Sequence, residues 1–452
     1  MRKLLLLLTL AFPLAAQWAD VDSAVDEVLA KTGAPSASVA IVKDGKIAYE
    51  QAYGLARVEP NLPAAPAMRY SIGSISKQFT AAAVLLLVED GRLSLDDRVV
   101  RWLPELTRAK DVSIRNLLTM TSGYRDFWPQ DYVMPMMLRE VQPQQIVDDW
   151  AKKPLDFEPG SKRQYSNTNY TIAGIIVERV SGMPLMQFLS QRIFTPLGMK
   201  SVVDTDQSAL GDTDPMRYQR FALGPPRVAP KEGKGWMFAA GELAMTAHDL
   251  ALWNISVMDQ SVLQPASYRE LTREMQLSSG VGVRYGLGVN VALVDDRRAI
   301  SHGGEVSGFT ATNQIFPDDK AAISVLVNLD ASDASSQIVT KVRKVVFPPP
   351  IGPSTDAQAI VRKIFEELQR GRIDRALFTL NANAYFTDQA VKDFAASLGP
   401  LGKVQDVTEE TPFLRGGMIG RGFKIKTAKK TFGISTFWTE TGRLEQYIVT
   451  AE

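Results

Sequence analysis

Residues 70–97 read YSIGSISKQFTAAAVLLLVEDGRLSLDD. Ala and Leu dominate the text after Lys77 and Gly91 supplies a stop, so a helix is expected over 74–90. A helix that is apolar all round must be buried. At helical pitch Ser74 and Lys77 are separated by about 300° and about 4.5 Å, which puts hydroxyl and amine on one face. A serine is a poor nucleophile until a base takes its proton. A lysine serves as that base only when desolvation or neighbouring positive charge keeps it neutral. Burial of the helix supplies the desolvation, and its start offers backbone N–H groups suited to an oxyanion. Ser-x-x-Lys occurs once in the chain. Taken singly, it also suits an ordinary capped helix with a snorkelling lysine.

Outward from this helix, SVAIVKDGKIAYEQA (38–52) places two β-rich runs around Asp44-Gly45, a hairpin signal. Ile172 to Val180 reads as a second helix ended by Ser181-Gly182. A third starts at Thr246, which has capping-box spacing to Asp249. Strand-like text returns at Tyr285 to Val294, Thr312 to Phe316 and Ala322 to Asn328. Strands bracketing a helical middle predict a sheet assembled from both ends of one domain, residues 20–346. FPPPIGPST (347–355) can continue neither helix nor central strand and reads as a linker. Beyond it, 356–452 combine an amphipathic helix (356–372) with β-rich stretches at Gly422 to Thr427, Phe432 to Trp438 and Leu444 to Val449, an α+β unit of independent-core size. Its pattern resembles an NTF2-like cone, and it offers no nucleophile constellation.

Composition narrows the chemistry. The 452 residues are 45% hydrophobic and 22% charged with a net charge of +1, which is ordinary globular composition and disfavours nucleic-acid binding by bulk charge. Cysteine is absent and there are two histidines, His248 and His302, so disulfides, thiol nucleophiles and clustered imidazole ligands are removed. No metal or organic cofactor is expected. Residues 1–16, MRKLLLLLTLAFPLAA, have the basic start, short apolar run and small-residue exit of a secretory signal. Export to the periplasm or medium is expected, with no membrane span after cleavage; an uncleaved anchor is the alternative.

Two further motifs could carry chemistry. Tyr165 and Asn167 lie in GSKRQYSNTNY just ahead of the second helix. A phenol near an ammonium can have a depressed pKa and relay a proton, and an Asn amide can hold both the lysine and a substrate carbonyl. The same residues also suit a turn. His302-Gly303-Gly304, followed by Glu305, reads as a glycine-rich strand start that permits close approach of a ligand and supplies an oxyanion N–H, or as a glycine turn with a surface histidine.

Together these motifs, in this order, resemble the penicillin-recognising serine hydrolases: the class C β-lactamase, D-alanyl-D-alanine carboxypeptidase and esterase family. Tyr165 follows Ser74 by 91 residues and His302 follows Tyr165 by 137. The flanking text VSIRNLLTMTSG, YSNTNYTIAGIIVERVSG, PLGM and HGGEVSGF carries the same likeness, which runs from about residue 20 to 345. The resemblance implies a β-lactamase/transpeptidase-like fold, with an antiparallel sheet flanked by helices and a helical insert, the site lying between them. It implies that Ser74 is acylated, that Lys77 takes or relays its proton, and that Tyr165 serves acylation and then activates water. Asn167 orients lysine and substrate, and the N–H groups of Ser74 and Glu305 form the oxyanion hole.

The departures bear on substrate. Many relatives carry Lys-Thr-Gly where this chain has His302-Gly303-Gly304, and there the cation and hydroxyl hold a substrate carboxylate. A histidine with the reference pKa of about 6.5 is mostly neutral at pH 7. Esters, small amides or D-amino-acid peptides are therefore favoured over β-lactams. A β-lactamase, or a penicillin-binding D,D-peptidase-like module with slow deacylation, is the alternative, and a Ser-His-Asp hydrolase is disfavoured because the chain has no Gly-x-Ser-x-Gly elbow. Met120 stands where relatives often have histidine. Tyr124 to Leu138 (YRDFWPQDYVMPMML) suits either core packing or an apolar substrate rim. The oligomeric state is not legible.

Overall fold

The computed structural model describes residues 14–347 and 357–451. The expected signal lies outside them except for Leu14–Ala16, which open helix α1 (Leu14–Thr32). All but Phe347 of the expected proline-rich linker lies outside them too. The chain divides into two compact units, the larger running to Val346 apart from Val294–Arg297.

Strands β1 (Ser36–Lys43) and β2 (Lys46–Arg57) pair antiparallel with Lys43 opposite Lys46. The two turn residues, Asp44 and Gly45, have φ of 54° and 73°, the left-handed pair that a two-residue hairpin turn requires. The other edge of β1 pairs with a strand almost 300 residues later. With β3 (Asn290–Val294), β4 (Arg297–Val306), β5 (Phe309–Phe316) and β6 (Ala321–Val327), the sheet order is Leu62–Pro63, β2, β1, β6, β5, β4, β3. Ala37 faces Val327 and Val42 faces Ala322 across the closure. Every residue of β6 is buried, so helices cover both faces there. Thr312 on β5 bonds Ser335 of α5 (Ala334–Val346), while its neighbour Asn313 points the other way to Asn254 of α4 (Ala247–Asp259).

The helical middle departs from expectation in detail. Gly73–Ser76 form a 3₁₀ turn and the α-helix proper, α2, is Lys77–Glu89, buried from Lys77 to Leu87. Helix α3 (Asn167–Ser181) begins five residues before the expected Ile172, because its polar first turn is itself buried. Thr246 caps α4 by accepting from Asp249 N at 3.1 Å. The reciprocal half of the capping box is missing, since the Asp249 carboxylate accepts instead from Ser201 N (2.7 Å) and Oγ (2.6 Å). The expected strand at 285–294 shrinks to β3, because the chain folds back with Gly286 N donating to Val289 O at 2.8 Å. Among the described residues no single helix is long and apolar enough to cross a membrane.

The second unit has its own sheet, ordered β7 (Val404–Glu409), β8 (Met418–Thr427), β9 (Thr431–Trp438) and β10 (Leu444–Ala451), with Phe413–Arg415 paired to β8. Helix α6 (Ala357–Gln369) lays Val361, Ile364, Phe365 and Leu368 into a separate core with Phe423, Ile434 and Tyr447.

What positions the site is the approach of β4 to the 3₁₀ turn. A Cβ added at Gly304 would lie 1.9 Å from Ile72 O, whereas at Gly303 the nearest atom would be Ala311 O at 3.8 Å. Gly304→Ala should therefore cost about 1–3 kcal/mol, as overpacking does, and Gly303→Ala should stay within about 0.5 kcal/mol of the parent. Urea titration checks this, and equal midpoints would show that the strand does not rest on the turn.

Candidate active site

Lys77 is fully buried at the start of α2. Its Nζ lies 2.9 Å from Ser74 Oγ, 2.8 Å from Asn167 Oδ1 and 2.7 Å from Ala240 O. As an ammonium it has three donors for three acceptors. As a free amine it keeps two N–H bonds, to Asn167 and Ala240, and turns its lone pair to Ser74 Oγ. Both protonation states are thus satisfied without movement. Burial pushes the Lys77 pKa down from 10.5 to about 7, against the pull of the Asp126 charge.

Tyr165, two residues before α3, donates its OH to Ser74 Oγ at 2.8 Å. The expected depression of its pKa is not found. Burial holds the phenol above its ordinary value of 10, and the Lys77 ammonium sits over the ring, 5.0 Å from its centre. Of the two groups touching Ser74, the lysine is the one poised to accept a proton at neutral pH.

Asn167 opens α3, and its orientation depends on a residue that sequence reasoning missed. Asp126 Oδ1 accepts from Asn167 N (2.9 Å) and Nδ2 (3.1 Å) and from Trp128 N (3.2 Å). These bonds direct Asn167 Oδ1 at Lys77. Burial raises the Asp126 pKa, and the Asn167 and Trp128 N–H groups work against that rise. The only sequence signal was its being one of two acids, with Asp131, inside the aromatic stretch 124–138.

His302-Gly303-Gly304 lie inside β4, not at its start. The His302 ring is buried, so the surface alternative falls. Its Nδ1 is 2.5 Å from Gly303 O and its Nε2 is 3.0 Å from Tyr285 OH. A neutral ring fits both contacts, Nδ1–H donating to the carbonyl and Nε2 accepting from the phenol. Burial, with the nearby Lys77 charge, pushes its pKa down to about 4. Tyr285 was not anticipated, nor was Arg163, whose guanidinium stacks over the Tyr285 ring at 4.6 Å. The Glu305 carboxylate accepts from Ala331 N at 2.8 Å. Its backbone N is 2.8 Å from where a Cβ on Gly73 would sit, which brings the amide beside the Ser74 turn.

Ser74, Tyr165, Asn167, His302, Gly303 and Glu305 line one cleft of ≈ 660 Å³, with Lys77 and Gly304 packed beneath it. The aromatic stretch serves both purposes. Trp128 to Val133 line the cleft, while Phe127 and Met137 join Val141, Ile146 and Trp236 in a small core. Met120 is buried with φ of 60°, its Sδ accepting from Asn169 Nδ2 at 3.7 Å. His248, half-buried in the first turn of α4, pairs with Glu50 of β2 at 3.0 Å.

Asp126→Asn keeps the shape but removes a charge that favours the Lys77 ammonium, and it weakens the anchoring of Asn167. The acid limb of the pH–rate profile should move to lower pH while turnover drops by up to about 10²-fold. A p-nitrophenyl ester assayed across about pH 5 to 9 checks this; an unshifted limb would remove Asp126 from the positioning of the lysine.

Residues 21–345 match the family described as Beta-lactamase. The D-aminopeptidase of Brucella anthropi is 28% identical over 330 residues, 69% of this chain and 59% of the relative, so the chain spans about three-fifths of that protein's length. A D-stereospecific amidohydrolase from Streptomyces sp. superposes with a TM-score of 0.63 at 26% identity, covering 73% of this chain and 98% of its own. The octameric penicillin-binding protein homologue from Pyrococcus abyssi shares the fold over 96% of this chain and 99% of its own, with a TM-score of 0.65 at 20% identity. With nearly three-quarters of its length inside the family match, the chain belongs to the Beta-lactamase family and has its β-lactamase/transpeptidase-like fold.

Proposed function

We propose that this protein is an exported serine hydrolase that works through a Ser74 acyl-enzyme and cleaves esters and small amides, D-amino-acid amides and peptides foremost. The observation that carries the reading is the buried Lys77 amine, 2.9 Å from the Ser74 hydroxyl with a pKa of about 7. Lys77 Nζ accepts the Ser74 proton as Oγ attacks the substrate carbonyl carbon, and the N–H groups of Ser74 and Glu305 receive the oxyanion. Collapse expels the amine or alcohol, which takes a proton delivered through Tyr165. Water then attacks the ester at Ser74, losing a proton to the Tyr165–Lys77 pair, and the acid leaves as Ser74 regains its hydrogen.

The cleft's charges bear on the substrate. Asp131, Glu305 and Asp330 line it, and His302 is neutral, which suits a substrate with a free amino group better than an anionic β-lactam. The relative named a D-aminopeptidase supports a free amino group on the substrate, and the one named a D-stereospecific amidohydrolase supports an amide of D configuration. One observation favours the second reading, a penicillin-binding or β-lactamase activity: Arg163 also lines the cleft and restores a cation close to His302. The C-terminal unit we assign as an NTF2-like accessory domain of residues 356–452, and residues 1–16 as a cleaved export signal.

A serine-directed phosphonate should label the parent and not Ser74→Ala; labelling that persists in the variant would sink the acyl-enzyme. Turnover of D-amino-acid amides, p-nitrophenyl esters and a chromogenic cephalosporin separates the substrate readings, the amides being expected to dominate. Cephalosporin turnover that dominates and is lost in Arg163→Ala would favour the second. The rate should fall as pH drops through about 7, since protonation removes the lysine base. Mass spectrometry of the exported protein should find the first sixteen residues missing.

A further inference from the structure

Away from the cleft, three carboxyl groups converge on a cavity of ≈ 360 Å³. They are Asp204 and Asp206 from the segment after the helix ending at Leu197, and Glu242 from just beyond the turn Phe238–Gly241. One oxygen from each lies within 4.8 Å of the others. Two of the three have donors. Asp204 Oδ1 accepts from Asp206 N (2.8 Å) and Gln207 N (3.2 Å), and Asp206 Oδ2 accepts from Phe238 N at 2.8 Å. Glu242 is 3% exposed, lines the cavity, and its carboxylate meets no hydrogen-bond donor or cation among the described residues. Among the described residues the charges that act on it most strongly are the two aspartates and Glu178, all of the same sign.

The lysines nearby do not resolve this. Lys231 Nζ is taken by Thr205 O at 2.6 Å, and Lys234 lies exposed at the cavity wall with no ion pair to these groups among the described residues. A buried carboxylate without a partner costs several kcal/mol unless a proton or a cation neutralises it. Four acidic groups on one cavity make a cation the more complete answer, because one divalent ion compensates several of them at once.

We propose that Asp204, Asp206 and Glu242 bind a hard divalent cation, with calcium preferred. The donors are all oxygen, which selects against zinc and copper. Three carboxylates on one ion suit calcium, which takes oxygen ligands in a flexible geometry, better than magnesium, which is usually held by one or two carboxylates and keeps several of its own waters. The cavity leaves space for the waters that complete calcium's six to eight ligands. The absence of metal expected from the sequence rested on missing Cys and His, which has no bearing on oxygen donors.

The ion would join the 204–206 segment to the turn that carries Ala240, whose carbonyl accepts from Lys77 Nζ. Calcium is thereby a clamp under the lysine's backbone acceptor, not a participant in chemistry. Stability, not turnover, is its primary readout.

The test uses the full chain after chelation and dialysis. Titration with CaCl2 should show one site per chain and raise the melting temperature by at least about 3 °C at saturation, with MgCl2 much weaker. Glu242→Gln, which removes one buried charge, should melt no lower than the chelated parent and lose the calcium response; Asp206→Asn should lose it as well. Crystals grown with CaCl2 should show an anomalous-difference peak between the three carboxylates, a readout that does not depend on either variant folding. No calcium binding up to about 10 mM, tenfold above the weakest extracellular modules, overturns the proposal. So does binding that survives both substitutions, or a peak elsewhere with none at these residues.

Discussion

The amine of Lys77 is the point on which the larger unit converges. A buried amine must find acceptors or lose several kcal/mol, and the three it finds belong to three separate pieces of chain: the 3₁₀ turn at Ser74, the first turn of α3 at Asn167, and the turn at Ala240. Each is held by further contacts. Thr80 donates to Ala239 O, Ile72 N to Leu243 O, and Asp126 gathers Asn167 and Trp128. The hydrophobic packing of α2 makes the site dry, and dryness lowers the lysine pKa toward neutrality. Core stability and chemical competence therefore have one cause.

The sheet contributes by proximity. Strand β4 can lie against the Ser74 turn because residue 304 has no side chain, and its neighbours then present the Glu305 amide and the His302 ring to the same cleft. His302 is held neutral by burial, by Lys77 nearby, and by contacts that use each ring nitrogen once. An imidazole fixed in this way adds shape to the cleft wall, and its charge is absent over the pH range in which Lys77 titrates.

Charge in and around the cleft is distributed, not paired. Arg163 lines the cleft together with Asp131, Glu305 and Asp330, and burial raises the Asp330 pKa to about 6 and Glu305 above its ordinary value. Fields of this kind act on substrate selection more than on folding. The second acidic cluster, around Glu242, obeys a different logic, because its groups are enclosed and their mutual repulsion falls on the folded state itself.

By itself the sequence determined the elements whose signals are local: the Asp44-Gly45 hairpin, the stop at Gly91, the cap at Thr246, and the one-turn spacing that joins Ser74 to Lys77. Periodicity and turn chemistry act over a few residues, so they are readable without the fold. Element starts were less legible. The 3₁₀ turn before Lys77 lies in close contact with β4, and α3 starts early on a buried polar turn that locally reads as a loop. Only the tertiary structure brought Asp126, Tyr285 and Arg163 to the site, reversed the expected sign of the Tyr165 shift, and gathered Asp204 and Asp206 beside Glu242. Those outcomes depend on desolvation and on contacts between residues far apart in the chain, and neither quantity exists until the chain has closed around them.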